Sequence, residues 1–274
     1  MADNRPIGVF DSGLGGLTVV KQLKRLLPQE SIVYFGDTGR VPYGTRSNGT
    51  ILKYAKEDEA FLISQNVKMI VAACGTVSSV AYSTAKDLPV DFVEVVSPAA
   101  KSAAEITKNG RIGVIGTPAT IKSGSYAKAI HKILPDAEVI ATACPLFVPL
   151  VEEGWINSND SVVVETAKRY LEIFKNSNID TLIMGCTHYP ALQNVLQSVL
   201  GPNVSLINMG TAAAKQVKQI LNDKGMLSMT EPEYKYFVSD RADSFSKIAN
   251  ILLGENIEGK VKQVQILQYI KDLK

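Results

Sequence analysis

Short apolar runs recur through the first 208 residues: "IGVFD" (7–11), "SIVYFG" (31–36), "MIVAA" (69–73), "FVEVV" (92–96), "IGVIG" (112–116), "EVIAT" (138–142), "TLIMG" (181–185) and "VSLIN" (204–208). They are rich in Val and Ile and mostly lack polar alternation, the pattern of strands covered on both faces. Helical patterns lie between them. "LTVVKQLKRLL" (17–27) has apolar residues at 17, 19, 20, 23, 26 and 27. "SVVVETAKRYLEIFKNS" (161–177) and "TAAAKQVKQILNDKG" (211–225) are similar, and Gly225 is a C-terminal stop for the latter. This alternation predicts an α/β protein with mainly parallel sheets. Past Asn208 come a further helix, a strand-like "EYKYFVSD" (233–240), an amphipathic "ADSFSKIANILLG" (242–254) and "KVKQVQIL" (260–267). They are too few for a third domain and are expected to return to the first.

The pattern also repeats. "IGVFDSG" (7–13) resembles "IGVIGTP" (112–118), and each opens a half of the chain. In each half a later strand runs into a cysteine, Cys74 or Cys186, with Thr76 or Thr187 close behind. This predicts two similar, doubly wound α/β domains facing one another, residues 1–97 plus 209–274 and residues 98–208, with the active site in the cleft between them.

Composition narrows the function classes. Of 274 residues, 46% are hydrophobic and 20% charged, as in a globular protein with a full core. The net charge of +2 is too balanced to point to nucleic acid or a membrane surface. No apolar run approaches the ~20 residues a bilayer needs, and "MADNRPIGVF" lacks the order of a signal peptide. A cytoplasmic location is expected. Cys74, Cys144 and Cys186 cannot all pair with one another, so thiols are expected. With His131 and His188 the only histidines, and Cys186-x-His188 lacking zinc-ligand spacing, no metal is expected.

Ligands of open parallel sheets bind outside the carboxyl ends of strands. Asp11, Cys74, Thr117 and Cys186 all lie at such ends. A free cysteine is ordinarily inert packing, and Cys144, among apolar residues and prolines in "TACPLFVPLV", is read so. Two cysteines at equivalent strand ends point to function. They could form a disulfide, act as a nucleophile and a spare, or serve as acid and base on opposite faces of one carbon. The last inverts a stereocentre without nicotinamide, pyridoxal or metal. Around them, "DSGLGG" (11–16) resembles a nucleotide-binding turn, but Thr18 stands where that signature needs its last glycine. Asp11 and Ser12 can bond an ammonium group or orient a thiol. In "GDTGRVPYGTRS" (36–47), Pro42-Tyr43-Gly44 offers backbone N–H groups for a carboxylate or forms only a turn. His188 is near enough to Cys186 to polarise it or relay its proton.

At these residues the chain resembles the glutamate racemases, cofactor-independent enzymes of bacterial cell-wall precursor synthesis within the aspartate/glutamate racemase superfamily. The resemblance covers nearly the whole chain. It rests on "GVFDSGLGGLTV", "YFGDTGRVPYGTRS", "VAACGT", "VIGTPATIKSGSY", "ACPLFVPLVEEG", "MGCTHYP" and "FVSDRADSFSKIA". It implies pseudo-twofold α/β domains, glutamate as substrate, no cofactor and a cytoplasmic homodimer. Cys74 and Cys186 would face opposite sides of the substrate α-carbon. Asp11 would assist Cys74, and His188 with Glu152 would assist Cys186. Ser12, Pro42, Tyr43, Gly44, Gly75, Thr76 and Thr187 would surround the substrate's polar groups, with Thr117 and Thr120 as further candidates for its γ-carboxylate. Two residues depart from the family pattern. Gly75 stands where asparagine is usual, removing a hydrogen bond to a charged ligand that is typically worth ~1.5–3 kcal/mol. Asn208 stands where aspartate is often seen. Gly75 leaves open a racemase of another acidic amino acid. A cysteine hydrolase using Cys186 and His188 is a rival, against which no oriented third member is evident and Cys74 is left unused. A binding protein that kept the cleft without turnover is another.

Overall fold

Every strand pairing is parallel in the computed structural model, which describes residues 2–240, 242–266 and 268–269. The first sheet contains β1 (Ile7–Asp11), β2 (Ile32–Gly36), β3 (Met69–Ala72) and β4 (Asp91–Glu94). The second contains β5 (Arg111–Gly116), β6 (Glu138–Ala143), β7 (Thr181–Met184) and β8 (Ser205–Asn208). β9 (Tyr234–Val238) and β10 (Val261–Gln263) return to the first sheet, beside β2. The strand orders are β10-β9-β2-β1-β3-β4 and β6-β5-β7-β8.

The repeat in the sequence is therefore a repeat in topology. In each half the first strand lies between the second and third, with the fourth outside the third. "IGVFD" and "IGVIG" are the two first strands. Cys74 and Cys186 each follow the third. β1, β2, β3 and β7 are buried along their whole length, which is why they read as unbroken apolar runs. β6 is half exposed at the edge of its sheet.

Side chains alternate between faces along each strand. Val9 and Val71 join the large core shared with Ile112, Val114 and Ile183 of the second sheet. Phe10 and Ile70 point the other way, into a second core with Phe35, Ile51 and Phe61. Helices Leu17–Leu26, Ser161–Leu171, Met209–Asp223 and Ala242–Leu253 fall on the four helical patterns. The pattern at 161–177 is shorter than read, because the chain tightens into a 3₁₀ turn at Glu172–Phe174. Leu267, part of the last strand-like run, and Arg241, part of a resembling motif, lie outside the described residues. Among the described residues, no helix is long and apolar enough to cross a membrane.

A buried ion pair ties the foot of the first sheet. Lys68, just before β3, places Nζ 2.6 Å from Glu30 Oε2, and both side chains are fully enclosed. Lys68 Nζ also donates to the carbonyls of Asp3 (2.7 Å) and Met226 (2.8 Å), while Glu30 Oε1 accepts from the Ser228 N–H (2.8 Å). Four separate segments meet there. Removing one partner strands the other charge, whereas removing both does not. Lys68→Met is therefore expected to lower stability by about 3–5 kcal/mol in urea unfolding, and Lys68→Met with Glu30→Leu to lose much less than the single variant.

Candidate active site

β1 delivers Asp11 to the carboxyl end of the first sheet, and "SGLGG" then turns into the Leu17–Leu26 helix. The Asp11 carboxyl is fully buried. Its Oδ2 accepts from the Gly13 N–H (3.0 Å) and its Oδ1 from the Thr187 hydroxyl (3.4 Å). Burial raises its pKa, against the lowering influence of the His188 charge and these donors. Cys74 follows β3 as the N-cap residue of the Gly75–Val80 helix, and its thiol donates to Ser12 Oγ at 3.7 Å. Burial, and then the neighbouring Asp11 charge, push the Cys74 thiol up to about 12.

The second wall is built differently. Cys186 Sγ lies 3.7 Å from His188 Nδ1, and His188 Nε2 lies 3.1 Å from Glu152 Oε1. Glu152 ends the Phe147–Glu152 helix. Burial works against a charge on His188, but hydrogen bonds to Cys186 and Glu152 prevail and raise its pKa to about 10. The raised pKa favours the doubly protonated ring, with one N–H towards each partner. The oriented third member that the sequence did not reveal is therefore present: Cys186, His188 and Glu152 form a connected relay. That removes one of the two arguments against a cysteine hydrolase.

The walls touch through glycines. A Cβ on Gly75 would collide with the Gly185 carbonyl oxygen and stand 3.8 Å from Cys186 Cα. A Cβ on Gly15 would collide with Thr187 Oγ1 and stand 2.6 Å from His188 Nδ1. In sequence Gly15 belongs to what resembles a nucleotide-binding turn, but here a side chain is barred by contact with the opposite wall. Thr18, the residue that breaks the dinucleotide signature, donates its hydroxyl to the Thr187 carbonyl (2.8 Å). Tyr126, also not foreseen, is buried with its ring against Gly185, and its hydroxyl donates to Met209 Sδ (3.5 Å).

The threonines form a chain between the sheets. Thr76 Oγ1 and Thr117 Oγ1 are 3.0 Å apart, and Thr117 donates to Thr120 Oγ1 (3.0 Å). Thr117 also caps the Pro118–Ser123 helix. Gly44 backs onto Thr117, where a Cβ would come within 2.8 Å of the threonine's own. The Tyr43 side chain turns into the protein, away from the backbone groups for which this stretch was singled out. Its buried hydroxyl contacts Asp37 and Asp58, the latter at 3.0 Å, and Arg40 reaches the same cluster. One hydroxyl proton cannot serve both carboxyls. Burial, and then the Asp37 charge, push the Asp58 carboxyl well above its usual range. Contact with a ligand would fall to the Tyr43 backbone. Pro42 is exposed beside it, in a cis peptide bond with Val41. Asn208 is a helix cap whose Oδ1 accepts from the N–H groups of Gly210 (2.9 Å) and Thr211 (3.2 Å). Aspartate caps equally well, so this exchange is structurally neutral. Cys144 is fully buried in the core, as read. Among the described residues no group of three His, Cys, Asp or Glu could hold a metal ion.

Comparison with known proteins places this arrangement. Residues 7–217 match the Asp/Glu/Hydantoin racemase family. The chain is similar to the glutamate racemase of Geobacter metallireducens, at 44% identity over 96% of this chain and 97% of that one. It is similar to that of Thermoanaerobacter pseudethanolicus at 45% identity, over 97% and 100%. Among solved structures, the glutamate racemase of Francisella tularensis in complex with D-glutamate superposes with a TM-score of 0.89 at 40% identity, over 97% of this chain and 100% of that one.

Two outcomes follow from the geometry. With only two histidines to resolve, ¹⁵N NMR is expected to find His188 doubly protonated through pH 8, and to find its titration midpoint lowered in Glu152→Gln, which removes the acceptor's charge. Gly75→Ala forces a methyl group against the Gly185 carbonyl, and thermal unfolding is expected to show a loss of about 1–3 kcal/mol from overpacking.

Proposed function

Because the chain belongs to the Asp/Glu/hydantoin racemase family, we infer that it is an enzyme interconverting L- and D-glutamate, with Cys74 and Cys186 as its two proton carriers. One observation carries the reading. Two thiols end equivalent strands of a repeated topology, and the glycine contact brings their walls together. A single nucleophile needs no such pair.

The steps follow from the partners of each sulfur. One cysteine, as thiolate, takes the α-proton from one face of the substrate. The electron pair left on the α-carbon is held next to the carboxylate, and the other cysteine, as thiol, returns a proton to the opposite face. The reverse reaction exchanges the roles. A Cys74 thiol pushed up to about 12 would cost on the order of 7 kcal/mol to ionise at neutral pH. The free enzyme does not store that thiolate. The substrate's ammonium group, arriving beside Asp11 and Ser12, supplies the positive charge that offsets the cost. On the other wall the charge is built in. His188 holds a proton for Cys186, and Glu152 holds His188. The hydroxyls of Thr76, Thr117 and Thr187 and the backbone at Tyr43–Gly44 would receive the carboxylates. Gly75 supplies no side-chain donor, so its part in binding is shape alone.

The finer expectations are part of the same proposal: D-glutamate supplied for peptidoglycan, a cytoplasmic homodimer, and domains at 1–97 plus 209–274 and at 98–208. The Cys186–His188–Glu152 relay also favours a second reading, a cysteine hydrolase. It gives Cys74 no task, and acyl labelling confined to Cys186 would be its mark. For the racemase, Cys74→Ser and Cys186→Ser are each expected to lower racemisation of both enantiomers by at least about 10²-fold, followed by circular dichroism. Near-wild-type turnover by either variant would contradict the two-thiol mechanism.

A further inference from the structure

We propose that Arg46 and Lys122 form a cationic vestibule that draws the dicarboxylate substrate to the cleft. The proposal rests on the racemase reading and concerns how that same site is reached. A cavity of about 530 Å³ lies between the loop after β2, at Gly44–Asn48, and the helix after β5, at Pro118–Ser123. It adjoins the site: Gly44, in its lining, packs against Thr117, which bonds Thr76 two residues after Cys74. Each wall contributes one exposed cation, Arg46 from the first sheet's loop and Lys122 from the second sheet's helix.

Three features make this local charge informative. None of the described residues lining the cavity is acidic. Neither cation has a salt-bridge partner among the described residues, so neither charge is neutralised across the opening. The chain as a whole is nearly neutral, at +2. Two unpaired positive charges across one opening are therefore a local excess, not a reflection of a basic protein. The Asn48–Ser64 helix, capped by Ser47, also presents its amino end at this cavity, which adds positive potential of the same sign. Glutamate at neutral pH carries two carboxylates and one ammonium. Cations at the opening attract it, and low-dielectric walls focus their field. The carboxylates would pass from the vestibule to the Thr117 and Thr76 hydroxyls.

The test is the ionic-strength dependence of racemisation in wild type and in Arg46→Gln with Lys122→Gln. Both side chains are exposed, and circular dichroism checks the fold. The charge-matched control is Lys108→Gln with Lys132→Gln, two exposed lysines outside the cavity. In wild type and control, kcat/KM is expected to fall as salt rises. In the vestibule variant it is expected to be about three- to tenfold lower at low salt, through KM with kcat within twofold, and to lose most of its salt dependence. Three results would overturn the vestibule: an unchanged KM, an equal effect in the control, or a fall in kcat alone. A wild-type protein with no turnover of either enantiomer would instead overturn the racemase reading, and the vestibule with it.

Discussion

The carboxyl ends of two parallel sheets meet, and the rest of the site depends on that meeting; in this chain Gly75 brings it to backbone contact with the Gly185 carbonyl. Parallel sheets present loops, not side chains, at their carboxyl ends. Two such ends can share one small ligand only if they face one another closely enough for groups from both to reach it. Glycine at 75 and 185 allows this beside the cysteines, and Gly15 allows it again against Thr187 and His188. The bonds that cross between the sheets then have something to fasten. Asp11 receives Thr187, Thr18 holds the Thr187 carbonyl, and Thr76 meets Thr117.

A symmetric scaffold here carries unsymmetric chemistry. The strands repeat in order, and the cysteines repeat in place. Their partners do not. Cys74 faces a carboxyl and a hydroxyl in full burial, which favours the neutral thiol. Cys186 faces an imidazole that Glu152 keeps protonated. A reaction that moves a proton from one face of a carbon to the other needs one group to give while the other takes. In the proposed two-cysteine reaction, unequal surroundings would supply that difference before substrate arrives, and the substrate's own charges would adjust it. The two sulfurs are thus one coupled system.

Much of the fold was legible because buried parallel strands leave a simple trace. β1, β2, β3 and β7 read as continuous Val- and Ile-rich runs, since both faces are covered. The Asn48–Ser64 helix was not legible. It buries Glu57, Asp58 and Glu59 together, and three consecutive acids look like a solvated turn in sequence. Arg40 and Tyr43 meet Glu57 and Asp58, and the Thr84 hydroxyl meets Glu59, partners that approach only in the fold. The same cluster holds the Tyr43 hydroxyl inside the protein. In the site, strand ends announced Asp11, Cys74 and Cys186. Glu152 came only through resemblance, because no local spacing links it to His188. Gly15 looked like an ordinary turn, because its constraint comes from a segment far along the chain.

The proposed reaction requires two different groups on opposite faces of one carbon. The most direct test incubates purified protein with L-glutamate, and separately with D-glutamate, in D₂O without added cofactor. Circular dichroism follows the optical activity and NMR follows the α-position. The account predicts that both enantiomers lose optical activity, and that the newly formed antipode carries solvent deuterium at the α-carbon while the remaining starting enantiomer at first does not. Exchange that returns deuterium to the starting enantiomer without inversion, or no exchange with either, would contradict it.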